Sequence, residues 1–243
     1  MFFQRLLFTI RFAFLSLAEN VASFFRYGFS QRMLGVEIGL ALLYPIISPY
    51  RINARYIRNQ NDSTEFVFGE TPLRTLEKIC RWARIPQNAV IFDVGCGWGR
   101  TTFFLDALNR ADRTIGIDII PQYIRRANRL RSILGRERMD FVRADVRRID
   151  YRDADVIYSY CTCFSEPVVE ELVALWEDDL YTGTVVITTS YCLSNYAKKG
   201  RFRLLASRDF HFIWGLCRVF CHVLVDVAGD GEEDGLPITD EGR

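Results

Sequence analysis

Hydrophobic positions change rhythm twice along the chain. From about residue 70 they swing between a helical and a strand period. In TPLRTLEKICRWARI (71–85) the apolar residues at 73, 76, 79, 80 and 83 share one helix face, with Thr71 as N-cap and Pro72 in the first turn. AVIFDV (89–94) is a continuous apolar run of buried-strand length. TTFFLDALNR (101–110) and PQYIRRANRLRSIL (121–134) read as helices, the second opening on proline. RTIGIDI (113–119), MDFVRAD (139–145), ADVIYSY (154–160) and GTVVITTS (183–190) read as strands, the last two separated by the helix EPVVEELVALWEDDL (166–180). Strands alternating with helices predict an α/β fold with a doubly wound, mostly parallel sheet. After residue 200, RDFHFIWGLCRVFCHVLVDV reads as two strands turning at Trp214-Gly215.

Before residue 70 the pattern is different. MFFQRLLFTIRFAFLSLAENVASFF (1–25) is dense in Phe and Leu but interrupted by Arg5, Arg11 and Glu19. VEIGLALLYPIIS (36–48) is the longest strongly apolar run, and the arginines of PYRINARYIR follow it. A membrane span takes about 20 apolar residues, which neither run reaches. Arg11 also interrupts the apolar centre a signal peptide would need. Two readings stand: helices packed on the domain, or an interfacial anchor through residues 1–48, its arginines on the cytoplasmic side. The chain thus divides into an apolar helical segment (1–60), a ligand-binding domain (61–226) and an acidic tail (227–243) of disordered composition.

Composition narrows the classes. With 49% apolar and 25% charged residues the chain is globular, and a net charge of +1 gives no global field for nucleic acid. Seven cysteines, an odd number set mostly in apolar runs, point to free thiols in a reducing, cytoplasmic compartment. No second Cys/His pair with zinc-like spacing accompanies Cys161-Thr-Cys163, so no metal is expected.

Candidate chemistry lies in VIFDVGCGWGR. A dinucleotide fingerprint would place its third glycine at position 100, which is Arg, and a phosphate-binding P-loop ending is absent. The turn instead reads Asp93, Gly95, Cys96, Gly97, Gly99 and Arg100, and alternate glycines let a ligand approach the backbone closely. The next strand ends at Asp118, followed by Ile119; an acid there can accept both ribose hydroxyls of a nucleoside. The third strand ends at Asp145, where a carboxylate can take an adenine amino proton while Val146 packs on the ring. Each acid alone could merely cap a helix; together with the turn they describe one ligand rim at the strand ends.

These residues resemble the motifs of class I S-adenosylmethionine-dependent methyltransferases over about residues 65–225. The resemblance implies a seven-stranded sheet ending in a hairpin, and S-adenosylmethionine as cofactor, a phosphate-free sulfonium compatible with an acidic rim. A narrower resemblance lies in VFGETPLRTLEKI (67–79). Its Phe-Gly-Glu-Thr is similar to the loop of the non-SET lysine methyltransferases of the disruptor-of-telomeric-silencing and ATP-synthase c-subunit types. It implies that Glu70 and Thr71 fold over the methionyl part of the cofactor, with Arg100 near its carboxylate. The sequence departs from the histone enzymes after the fourth strand, where Ser159, Tyr160, Cys161 and Thr162 replace their asparagines. Tyr158 and Tyr160, on one side of that strand, are the candidate catalytic-site groups that would wall or orient the acceptor. The implied activity is methylation of lysine on a protein, with nucleic acid disfavoured as acceptor. The alternatives are a small-molecule or lipid acceptor, and a cofactor-binding scaffold without turnover.

Overall fold

The computed structural model describes residues 15, 18–27, 30–44, 49–60 and 69–226. The tail 227–243, the N-terminal residues 1–14 and Phe68 of the Phe-Gly-Glu-Thr stretch lie outside the described residues. The expected sheet is present. β1 (Val90–Val94), β2 (Arg113–Asp118), β3 (Met139–Arg143), β4 (Val156–Ser159) and β5 (Val185–Thr189) run parallel. β6 (Phe202–Phe212) and β7 (Gly215–Leu224) complete seven strands in the order β3-β2-β1-β4-β5-β7-β6, with β7 antiparallel to both neighbours. Strand order reverses between β1 and β4, and ligands of open α/β sheets bind at the carboxyl ends beside such a reversal.

Helices cover both faces because every central strand is apolar on both sides. Ile91 and Tyr158 face a layer built from α1 (18–27), α2 (Gln31–Leu43), α3 (Pro49–Gln60), α4 (Leu73–Trp82), α5 (Arg100–Asn109) and α6 (Pro121–Ile133). Phe92, Val94 and Ile157 face α7 (Glu166–Asp179), where Trp176 is buried against Tyr151.

The N-terminal helices belong to this core: Met33, Val36 and Leu40 of α2 and Ile52 of α3 are buried in it. Close packing of α2 on α6 depends on small residues, since a methyl group on Gly35 or Gly39 would collide with Leu134 or Leu130. No helix among the described residues is long and apolar enough to cross a membrane.

Three sequence expectations need correction. The helix expected over 71–85 is shorter, Leu73–Trp82. Pro72 holds the cap position with an extended backbone, so Thr71 is no longer the N-cap; Arg84 turns left-handed (φ 52°) and Pro86 prevents continuation. β6 begins at Phe202, six residues before the stretch read as strand, and a register irregularity between Leu204 and Ala206 disrupts its alternation. Its hairpin turns at Ile213-Trp214, closing on the pair Phe212–Gly215. β3 and β4 end one or two residues early, leaving Asp145 and Tyr160 on the loops beyond them.

Candidate active site

The glycine turn is built by two neighbouring strands. β1 ends at Val94, and the N–H groups of Gly95 and Cys96 both donate to the Ile117 carbonyl of β2 at 2.9 Å. Gly97 (φ 55°) then points its N–H at Asp118 Oδ2, 2.9 Å away. Gly99 (φ 93°) starts α5 where a side chain would meet Phe141 and Ala127. Asp118 thereby closes the turn: Oδ2 accepts from Gly97, and Oδ1 accepts from the Ile120 N–H at 2.8 Å. Each oxygen keeps a second lone pair for a ligand. Burial pushes this carboxyl up to about 6, against the pull of those backbone donors.

Beyond the turn opens a cleft of about 110 Å³. Gly95, Gly97, Asp118, Ile119, Asp145, Val146 and Tyr160 line it, together with Gly69 at the start of the Gly-Glu-Thr stretch. Seven residues that the sequence did not assign to the ligand also reach it: Asn53 of α3, Ile120, Tyr123, Arg147, Cys163, Phe164 and Val168. Asn53 lies outside any motif; only its place on an amphipathic helix tied to α6 by the Tyr123 hydroxyl (2.7 Å to the Pro49 carbonyl) brings it in.

Asp145 keeps its expected place beside Val146 but is largely occupied. It caps the 3-10 turn Val146–Arg148, accepting from the Arg147 N–H at 3.0 Å and gripping the Arg147 guanidinium at 3.0 and 2.7 Å. That guanidinium holds its carboxyl below the usual range. Asp93 stands behind the turn rather than on the cleft: its Oδ2 accepts the Thr102 hydroxyl at 2.7 Å and anchors the first turn of α5. Burial pushes its carboxyl up to about 7. The single acidic rim of three carboxylates expected from the sequence therefore has two members on the cleft and one beneath it.

The Gly-Glu-Thr loop is fixed at each residue. Gly69 presses against the Tyr160 ring, leaving no room for a methyl group. Glu70 pairs with Arg100 at 3.2 Å, and the Thr71 and Tyr158 hydroxyls share a buried hydrogen bond of 2.6 Å. Arg100, nearly fully buried, also pairs with Glu37 of α2 at 2.9 and 3.2 Å and with Asn20 of α1 at 3.1 Å. Burial alone would lower this guanidinium, but Glu70 and Glu37 outweigh it and raise it. Arg100 thus ties the N-terminal helices, the loop and the turn together; it does not line the cleft. Cys96 and Gly99 are likewise part of the packed turn behind it.

Of the two tyrosines, Tyr160 alone lines the cleft. Its hydroxyl accepts the Trp214 indole N–H at 2.8 Å, and Phe212 stacks on Trp214 with centroids 5.5 Å apart. Burial pushes the Tyr160 phenol up to about 12, so it stays neutral at physiological pH and cannot serve as a base. Tyr158 is sealed in the core and raised further by burial, so it positions Thr71.

Residues 91–180 match the family model described as "Methyltransferase domain". The chain carries a class I methyltransferase domain. The methyltransferase shares its fold with several solved enzymes. The RNA methyltransferase of Salinibacter ruber, in complex with S-adenosyl-L-homocysteine, is 20% identical, with a TM-score of 0.55 over 68% of this chain and 100% of its own. Magnesium protoporphyrin IX methyltransferase of Synechocystis PCC 6803, with bound S-adenosylmethionine, is 12% identical (TM-score 0.53; 74% of this chain, 99% of its own). The N-methyltransferase NodS of Bradyrhizobium japonicum, with bound S-adenosylhomocysteine, is 11% identical (TM-score 0.53; 72% and 99%). No curated protein matches the chain by sequence.

The cofactor of this methyltransferase is S-adenosylmethionine, which supplies a methyl group carried on a sulfonium. The cleft fits it: Asp118 offers two open lone pairs for ribose hydroxyls, Val146 and Phe164 offer apolar surface, and no phosphate-cradling glycine loop with a lysine is present at the turn.

Proposed function

We propose that this methyltransferase N-methylates a lysine on a protein, one held at the cytoplasmic face of a membrane. The observation that supports the reading is the loop Gly69–Thr71, held against Tyr160, Arg100 and Tyr158 beside an aromatic wall of Tyr160, Phe212 and Trp214. Aromatic faces favour the approach of an ammonium side chain. Displacement at a sulfonium methyl then requires a neutral amine held in line and little acid–base chemistry. In this reading Asp118 and Asp145 hold the nucleoside, Tyr160 orients the acceptor, and Glu70, Thr71 and Arg100 fix the loop that shuts water out.

A small-molecule acceptor is the second reading, supported by the apolar side of the cleft at Cys163, Phe164 and Val168. The full chain incubated with methyl-tritiated S-adenosylmethionine and a cell lysate tests both. Label recovered as methyl-lysine after acid hydrolysis of the protein fraction is expected. Label confined to the organic phase, the small-molecule fraction or RNA would overturn the lysine reading.

A further inference from the structure

The exposed sides of α2, α3 and α6 have a chemistry found nowhere in the cofactor cleft. α2 is apolar nearly all round, yet only part of it is used inside. Met33, Val36 and Leu40 enter the core, Gly35 and Gly39 meet α6, and Glu37 turns to Arg100. What remains is a stripe at i, i+4 and i+8: Leu34, Ile38 and Leu42, with relative exposures of 38%, 49% and 73%. Ile133 on neighbouring α6 is 67% exposed. A helix that shows one apolar stripe to its own core and a second to solvent has a surface to bury elsewhere.

Charge says against what. α2, α3 and α6 together carry eight arginines, no lysine and a single carboxylate, Glu37, which is consumed by Arg100. The whole chain has a net charge of only +1. On α3, Arg51, Arg55 and Arg58 fall on one exposed face (i, i+4, i+7), and Arg125 and Arg129 are exposed on α6. None of these five forms an ion pair among the described residues. Elsewhere on the surface arginines do pair, as Arg113 with Asp140, Arg152 with Asp150 and Arg218 with Asp209. The three helices are also one unit: α2 and α3 each pack on α6, through Arg126 over the Tyr44 ring and through Tyr123 to Pro49.

We propose that this face, an aliphatic ridge of Leu34, Ile38 and Leu42 rimmed by the exposed arginines Arg51, Arg55 and Arg58 of α3 and Arg125 and Arg129 of α6, docks on an anionic lipid surface. The aliphatic side chains enter the boundary between headgroups and acyl chains, and the guanidiniums engage phosphates. Single-stranded RNA would explain the arginines but favours exposed aromatic stacking platforms, and this ridge is aliphatic. Docking here orients the enzyme. Asn53, on the side of α3 opposite its arginines, lines the cofactor cleft, so the cleft lies one helix thickness from the lipid. The inference names the face behind the membrane-contact reading above and is independent of the lysine acceptor.

Sedimentation of the full chain with vesicles of phosphatidylcholine alone, or containing phosphatidylserine, tests it. Binding to the anionic vesicles is expected, falling as salt rises. At about fivefold per arginine, the combined variant Arg51→Gln/Arg55→Gln/Arg58→Gln should bind about 100-fold more weakly. Leu34→Ser/Ile38→Ser/Leu42→Ser should also lose binding, and both variants should keep the circular dichroism and S-adenosylmethionine affinity of the parent. Wild-type binding that neither variant weakens would overturn this face while leaving membrane contact through residues 1–17. No binding to either vesicle would overturn both. Binding to an RNA oligonucleotide that Arg51, Arg55 and Arg58 control, without vesicle binding, would reassign the face to nucleic acid.

Discussion

Substituting Gly99 by alanine tests how the turn is packed. The perturbation has two parts. Gly99 sits at φ 93°, a left-handed conformation costing an alanine about 1–2 kcal/mol. Its new methyl group would lie 2.7 and 2.9 Å from Phe141 and 3.2 Å from the Ala127 Cβ. Phe141 cannot swing away, because it is buried and packed on Phe103 with ring centroids 5.2 Å apart. Overpacking of this kind costs a further ~1–3 kcal/mol. Gly183 isolates the first part: it is exposed, its φ is 98°, and nothing lies within 4 Å of its would-be Cβ. Urea unfolding followed by circular dichroism should show Gly99→Ala destabilised by about 2–5 kcal/mol and Gly183→Ala by about 1–2 kcal/mol. Equal losses in the two variants would refute the close approach of Phe141 and α6 to the turn.

Three further outcomes follow from the buried charges. Asp93, at about 7 in the folded protein against an ordinary value near 4, takes up its proton earlier when folded, so stability rises as pH falls from 7 towards 4. Asp93→Asn keeps an acceptor for Thr102, so it should be more stable than the parent at pH 8, with the advantage vanishing by pH 5 in urea titrations. His222, fully buried and pushed down to about 4 by burial, should show no ring protonation by NMR above about pH 5. Its contribution has the opposite sign: unfolded histidine takes a proton near 6.5, so stability is lost as pH falls from 6.5 to 4. Arg100→Met strands Glu37 and Glu70 and should cost about 3–5 kcal/mol in the same assay, less at acid pH where Glu70, raised by burial, is protonated.

The sheet was legible because buried parallel strands are short apolar runs with sharp ends, as at 89–94 and 113–119. The first half of β6, residues 202–207, was not, because the irregularity near Leu204 breaks the two-residue period that identifies a strand. The local geometry at Asp118 and the glycines was readable, because an acid at a strand end and alternate glycines describe a tight turn. The partners of Arg100 were not legible, since nothing local reveals that Glu37, 63 residues earlier, and Asn20 will claim its guanidinium. Thr71 carries the signature of a helix cap, yet its hydroxyl is drawn into the core by Tyr158, 87 residues later. Asn53 was invisible for the same reason: its place on the cleft is set by how α3 packs on α6, a long-range property that periodicity does not encode.

The central claim is that the Asp118 rim holds S-adenosylmethionine. Isothermal titration calorimetry of the full chain with S-adenosylmethionine, repeated on Asp118→Ala, tests it most directly. Two charged hydrogen bonds to ribose hydroxyls, at about 1.5–3 kcal/mol each, predict saturable binding by the parent and a loss of more than tenfold in the variant. A parent that gives no binding heat by calorimetry and no retention of labelled cofactor on filters, or a variant that binds as tightly as the parent, would contradict it.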